Sequence, residues 1–313
     1  MIAPLVLVLA LLIGGSAASC GEADSSRRGD ASVSGEFDGA KALADVERQV
    51  AFGARVPGTP AHVAAGDWLV EEMRRLADTV IVQSWEHTTA DGQKLPMRNI
   101  IARFKPAETR RVLYLAHWDS RPNADRDPDK AKQSLPVPGA NDGGSGVAIL
   151  LGVAEALRKK PVGPGVDLVF ADGEDWGVFE TNTDVLIGSK YLAEHLPDSG
   201  YAPILGVVWD MVGDEDPRFE QETHSLRAAP EVVQRVWSTA QRLGYGAAFR
   251  NVEYGEITDD HLPLIAKGLR VINVIDLYYP WHHTTGDTPD KVSQQTLQMV
   301  GDVAMAVLRD LPE

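Results

Sequence analysis

"GVDLVFADGED", residues Gly165–Asp175, runs through a mostly apolar stretch and then breaks into a turn carrying two adjacent acids. A strand with one face in water would alternate apolar and polar side chains. This one does not, so it reads as a strand buried on both faces, the habit of parallel sheets. Upstream, "RRVLYLAHWD" (Arg110–Asp119) has the same character, and "SGVAILLGVAEALRKK" (Ser145–Lys160) between them has helical periodicity. Strand, helix, strand is a crossover unit.

The alternation continues toward the C-terminus. "GSKYLAEHL" (188–196) and "PEVVQRVWSTAQRLG" (230–244) read as helices, "PILGVVWDMVGD" (203–214) and "LRVINVIDLY" (269–278) as strands, and 290–311 as a long final helix. Upstream stand two helical segments, 39–52 and 59–77, then strands at 79–87 and 97–104 joined by the hairpin-like "TADGQKLP". The expectation is one α/β domain: a central mixed, mostly parallel twisted sheet with helices on both faces. In such sheets ligands gather beyond the carboxyl ends of the strands.

The 313 residues carry a formal charge of −15, with only short basic tracts such as Arg110-Arg111 and the run ending in Lys159-Lys160. That argues against nucleic acid and against anionic membrane surfaces as partners. The single cysteine, Cys20, excludes a disulfide within the chain and a cysteine-rich zinc site. It follows the apolar run Ile2–Ile13 and a group of small residues, the pattern of an export signal over 1–20. The position of Cys20 also matches a bacterial lipoprotein signal, which would lipidate it. Residues 21–36 read as a flexible tether and 37–313 as the catalytic domain. The protein is expected to be exported, periplasmic or anchored by an N-terminal lipid.

Nearly every strand exit delivers an imidazole or a carboxylate: His117 and Asp119, Glu174 and Asp175, Asp210, and Asp142 ahead of a helix. "EITDDHLP" adds Asp259, Asp260 and His261, and "PWHHTTGDTPD" adds His282, His283 and Asp287. Singly, each has a plain structural reading: Asp142 as a helix cap, His117 as a satisfied core histidine, Asp210 as an arginine's partner. Together they are the donor set of zinc where thiolates are absent. Other chemistries lack their parts. "GGSGV" around Ser145 misses the second glycine of a nucleophile elbow, and no phosphate-binding loop or HExxH occurs.

"AHWDSRPNADRDPD", "GANDGGSGVAILL", "VFADGEDWG", "LIGSKYLAEHL", "WDMVGDEDPRF", "ITDDHLPLI" and "HTTGDTPD", in this order, resemble the zinc-dependent glutaminyl cyclases, especially exported bacterial ones. These share a superfamily with the di-zinc aminopeptidases. The resemblance implies that Asp142, Asp175 and His283 bind the catalytic zinc, with His282 the alternative one position away. It implies Glu174 as general acid/base, with Asp259 and Asp210 hydrogen-bonded around it. His117 and Asp210 match the ligands of the aminopeptidases' second metal, so one ion is expected and two have ligands. Many relatives carry Glu where Asp175 stands.

Two expectations concern the local geometry. In an extended segment neighbouring side chains point to opposite sides, so one acid of the pair would meet the metal and the other the substrate. Trp118, Trp176 and Trp281 flank three motifs and could wall a pocket for a glutamine side chain. The implied substrates are peptides with a free N-terminus, preferably glutamine, converted to pyroglutamyl peptides with loss of ammonia. An aminopeptidase, or a metal-binding surface protein without catalysis, are the alternatives.

Overall fold

Eight strands order the computed structural model, which describes residues 1–2 and 35–312. They are β1 (Thr79–Thr88), β2 (Lys94–Phe104), β3 (Arg111–His117), β4 (Gly165–Ala171), β5 (Leu205–Asp210), β6 (Phe219–Glu222), β7 (Phe249–Gly255) and β8 (Val271–Ile275). Six of them form one sheet in the order β1-β2-β4-β3-β5-β8, and β6 pairs with β7 apart from it. The four strands from β4 to β8 run parallel, while β2 is antiparallel to both β1 and β4.

Among the described residues, eight α-helices accompany the sheet: α1 (Gly39–Ala51), α2 (Pro60–Leu76), α3 (Gly144–Lys159), α4 (Ile187–Glu194), α5 (Thr223–Ala228), α6 (Pro230–Arg242), α7 (His261–Ala266) and α8 (Gln294–Arg309). The period-two geometry of a strand sorts the core. On β3, Val112, Tyr114 and Ala116 join the large core with α1, α2, α3, α6 and α8. Leu113 and Leu115 point the other way, into a smaller core with Leu192 of α4 and Leu264 of α7. The Tyr114 hydroxyl, which burial would otherwise penalise, donates to the Ala304 carbonyl at 2.8 Å.

Asp167 is the polar exception inside β4. Its carboxylate takes Arg103 at 3.0 Å, Arg111 at 2.6 Å and the Tyr201 hydroxyl at 2.8 Å, a closed buried network near the start of the strand. The carboxyl ends differ. Chain entering by β3 leaves through α3 to β4 on one flank, whereas β5 pairs on the other flank of β3. That reversal opens a crevice where β3, β4 and β5 end.

Phe37 is buried against two glycines, Gly152 and Gly301, where an added Cβ would meet its ring at 2.3 Å. Glu36 pairs with Lys160 at 2.9 Å and Arg309 at 2.7 Å. Residues 3–34, with Cys20, the expected signal and nearly all of the expected tether, lie outside the described residues.

Candidate metal centre and catalytic cavity

β3 ends on His117, whose Nε2 lies 3.1 Å from Asp142 Oδ1 and 3.2 Å from Asp210 Oδ1 at the end of β5. Asp142 does not cap the helix that follows it. Gly143, at φ 80°, is the cap residue of α3 and no side chain bonds there. A Cβ at Gly143 would stand 2.8 Å from the Asp119 carbonyl and 3.0 Å from the His117 ring, so glycine lets this loop close on the histidine. Asp287 holds the loop from behind: its two oxygens accept the N–H groups of Asn141 at 2.9 Å and Asp142 at 3.1 Å. Ser145 is structural, donating to the Asn141 carbonyl and accepting from the Val212 N–H.

The acid pair lies just past β4, in a bend rather than in extended chain. Both backbone N–H groups point to one carboxylate, Asp119, at 3.1 Å from Glu174 and 3.2 Å from Asp175. The expected strand-like alternation therefore does not operate. The turn, pinned by Asp119, is what separates the two side chains. Glu174 faces the cavity with Asp142, Asp210 and Asp259. Asp175 Oδ1 lies 3.2 Å from His283 Nε2 and accepts from Arg121 at 2.7 Å, while its Oδ2 is buried without a hydrogen-bond partner.

His283 occupies the left-handed region at φ 58°, and its Nε2 is 3.7 Å from Asp142 Oδ2. His282 Nε2 is 4.0 Å from the same oxygen, so both histidines stand within reach of Asp142. They differ in their other contacts. His282 Nδ1 accepts from Arg126 Nη1 at 3.0 Å. Arginine has no acceptor, so the second ring nitrogen of a neutral His282 must carry the proton and has no lone pair for a metal. His283 is under no such constraint. The two oxygens of Asp142 thus divide between two groups, His117 with Asp210, and His283 with Asp175. The unpartnered Asp175 oxygen, the shared Asp142 and the histidine nitrogens suit a zinc ion. The first of these groups could take a second ion.

The crevice is a cavity of about 270 Å³. Burial pushes the Glu174 carboxyl well above the usual glutamate range, and Asp175, Asp259 and Asp260 add to it. Asp259 is pushed up to about 7 by burial and by Asp210. Its Oδ2 accepts from Asn273 Nδ2 at 2.6 Å. Burial works to lower the His117 pKa, yet Asp119, Asp142 and Asp210 hold it well above the ordinary value.

None of the three tryptophans lines this cavity. Trp118 is fully buried and stacked on His62 at 4.3 Å, Trp176 packs with Leu95, Met97 and Ile187, and Trp281 is 40% exposed beside Lys291. Each follows or precedes a site residue, and adjacent side chains leave the backbone in different directions. The walls come instead from Phe179, Met211, Tyr254, Ile257 and Leu277. Phe179, Tyr254 and Leu277 stand outside the quoted motifs; Met211, Ile257 and the charged Arg126 stand inside them, but nothing in the sequence singled them out from the acids and histidines alongside.

The model of peptidase family M28 matches residues 99–308. The chain belongs to that family. A crystal structure of a Zn-dependent exopeptidase from Parabacteroides distasonis is 40% identical, with a TM-score of 0.85 over 88% of this chain and 99% of that one. A glutaminyl cyclase from Tannerella forsythia is 38% identical, with a TM-score of 0.84 over the same shares. Glutaminyl-peptide cyclotransferase from Bos taurus is 26% identical over 284 residues, covering 80% of this chain and 76% of the bovine one.

Proposed function

We propose that this member of the M28 family is a zinc-dependent glutaminyl-peptide cyclotransferase, closing the N-terminal glutamine of a peptide to pyroglutamate. The observation that carries the reading is Glu174. It is a buried carboxyl of raised proton affinity, facing a cavity between the Asp142 group and Asp259, with no side-chain hydrogen bond among the described residues. Similarity to cyclases across nearly the whole domain supports it.

Asp142, Asp175 and His283 would hold the ion, and His117 and Asp210 with the other Asp142 oxygen would hold a second if two are bound. Bound zinc would supply Lewis acidity to the γ-carboxamide carbonyl. Glu174 takes a proton from the α-amine, whose nitrogen then bonds to the side-chain carbonyl carbon. The same carboxyl returns the proton to the amide nitrogen, the carbon–nitrogen bond breaks, and ammonia leaves. Asp259, with Asp175 and Asp260, raises the proton affinity of Glu174 and so supports its basicity, while Asp210 stands beside it in the same cavity. Met211, Ile257 and Leu277 make apolar walls that limit water, which would compete with the amine.

An aminopeptidase reading uses the same parts, with Glu174 taking its proton from water. The complete His117–Asp142–Asp210 group and the likeness to the Parabacteroides exopeptidase favour it. Product analysis on a Gln-Xaa-Xaa peptide, with zinc counted per chain, separates the two. Ammonia without shortening of the peptide is expected; a free amino acid would overturn the cyclase reading. Export, with a lipid on Cys20, is part of the same proposal and rests on residues 1–20. Fractionation of cells producing wild type and Cys20→Ala tests it.

A further inference from the structure

Arg126 is an exposed, charged side chain in the cavity wall, and no acid among the described residues stands within ion-pair distance of it. Its one side-chain hydrogen bond goes to the neutral nitrogen of His282, and among the described residues it makes no ion pair. Its neighbours are not left this way. Arg121 is shared between Asp125 and Asp175, and Arg227 sits on Glu256. Nor is its position loose. The Arg126 N–H donates to the His283 carbonyl at 3.2 Å, and the next residue, Asp127, accepts from Thr285 N and Oγ1 at 3.0 and 2.6 Å. The loop carrying Arg126 is thereby stitched to the segment carrying both histidines.

A guanidinium presents five N–H donors in a planar fork suited to carboxylate, and His282 occupies one. The separation from the reacting centre is also legible. One imidazole ring intervenes: His282 lies 4.0 Å from Asp142 on one side and 3.0 Å from Arg126 on the other. A peptide advances roughly 3.3–3.6 Å per residue, so a group one or two residues beyond the N-terminal one meets Arg126.

We infer that Arg126 is a specificity residue that binds a carboxylate of the substrate just past its reacting end. That carboxylate belongs either to an acidic second residue or to the free C-terminus of a dipeptide. The inference rests on the cyclase reading for the reaction that is followed. The site's acids draw the α-ammonium end of the peptide while Arg126 holds the anionic one, fixing the direction in which the substrate lies.

Ammonia release from Gln-Ala-amide, Gln-Glu-amide and Gln-Ala as free acid tests this. At least one carboxylate peptide is expected to exceed Gln-Ala-amide by about tenfold in kcat/KM, chiefly through KM. Whichever of the two leads identifies the source of the carboxylate. Arg126→Ala should bring that ratio near one, Arg126→Lys should keep part of it, and Arg126→Glu should favour Gln-Lys-amide. A ratio unchanged in Arg126→Ala overturns the inference. So does an equal loss on all three peptides, which would assign Arg126 to holding His282 alone. Wild type that releases no ammonia from any of them overturns the cyclase reading itself. If it frees an amino acid instead, the same ratios read on that product decide for or against Arg126.

Discussion

Asp119 accepts the backbone N–H of Glu174 at 3.1 Å, and its other oxygen accepts that of Asp175 at 3.2 Å. Extended chain sends successive N–H groups to opposite sides, so a single carboxylate gathers both only where the chain turns. The orientation of the acid pair is therefore set from β3, two residues beyond His117. Replacing Asp119 by Ala removes two charge-assisted bonds from buried amides, each worth about 1–3 kcal/mol. The expected outcome is a fall in kcat of about ten- to a hundredfold, with zinc content reduced less. Unaltered kcat would show that the pair is held in place by other contacts.

Glu174 and Asp175 should separate in their response to neutralisation. Glu174 moves protons, so Glu174→Gln is expected to lower turnover by at least about 1,000-fold while zinc per chain stays at the wild-type value. Asp175 keeps a buried, unpartnered oxygen for the ion, so Asp175→Asn should weaken zinc binding first. Dialysis against a graded chelator, followed by metal analysis, reads both. Loss of zinc from Glu174→Gln with retention in Asp175→Asn would exchange their roles.

The adjacent histidines give a second such contrast. The Arg126 bond commits the far nitrogen of His282 to a proton, whereas His283 Nε2 faces Asp175 and Asp142. His283→Ala is expected to lose zinc, and His282→Ala to keep it while altering KM. Equal zinc loss in both variants would mean that His282 turns its ring and ligates.

The alternation of two-faced apolar strands and helices made the sheet legible, because β3, β4 and β5 are long enough to show the pattern. It failed on β6, α5 and α7, which have four to six residues each and offer too little sequence for a period. β7 is largely exposed and pairs outside the main sheet, so it lacks the apolar run. The acids and histidines of the site could be listed because few other roles bring such groups to strand ends. Their supports could not: Asp119 reads as one more acid until its two N–H contacts are seen. Trp118 stands next to His117 yet points into the core, since adjacency in sequence does not give direction in space.

The metal-free protein should lose stability toward alkaline pH. Burial first, then neighbouring acids, pushes Asp259 to about 7, Asp260 to about 8 and Asp287 to about 7, and raises Glu174 well above its ordinary value. Groups raised on folding bind more protons in the folded chain than in the unfolded one. Their contribution is complete below the ordinary carboxyl range of about 4 and disappears as pH climbs through 7 to 8. Asp142, lowered despite its burial by His117, and Glu222, lowered to about 2 despite its burial by His261, work the opposite way. Their contribution is present above about 4 and fails only in stronger acid, so the neutral-to-alkaline window belongs to the first set. A tenfold change in a carboxyl's proton affinity corresponds to about 1.36 kcal/mol, and 1 kcal/mol moves Tm by about 2–4 °C in a chain of this size. Melts in chelator are thus expected to fall by about 5–10 °C between pH 6 and pH 9. Added zinc supplies the positive charge that the lost protons removed and should flatten that slope. A Tm in chelator that holds or rises across the same interval would show that these carboxyls do not share one buried site.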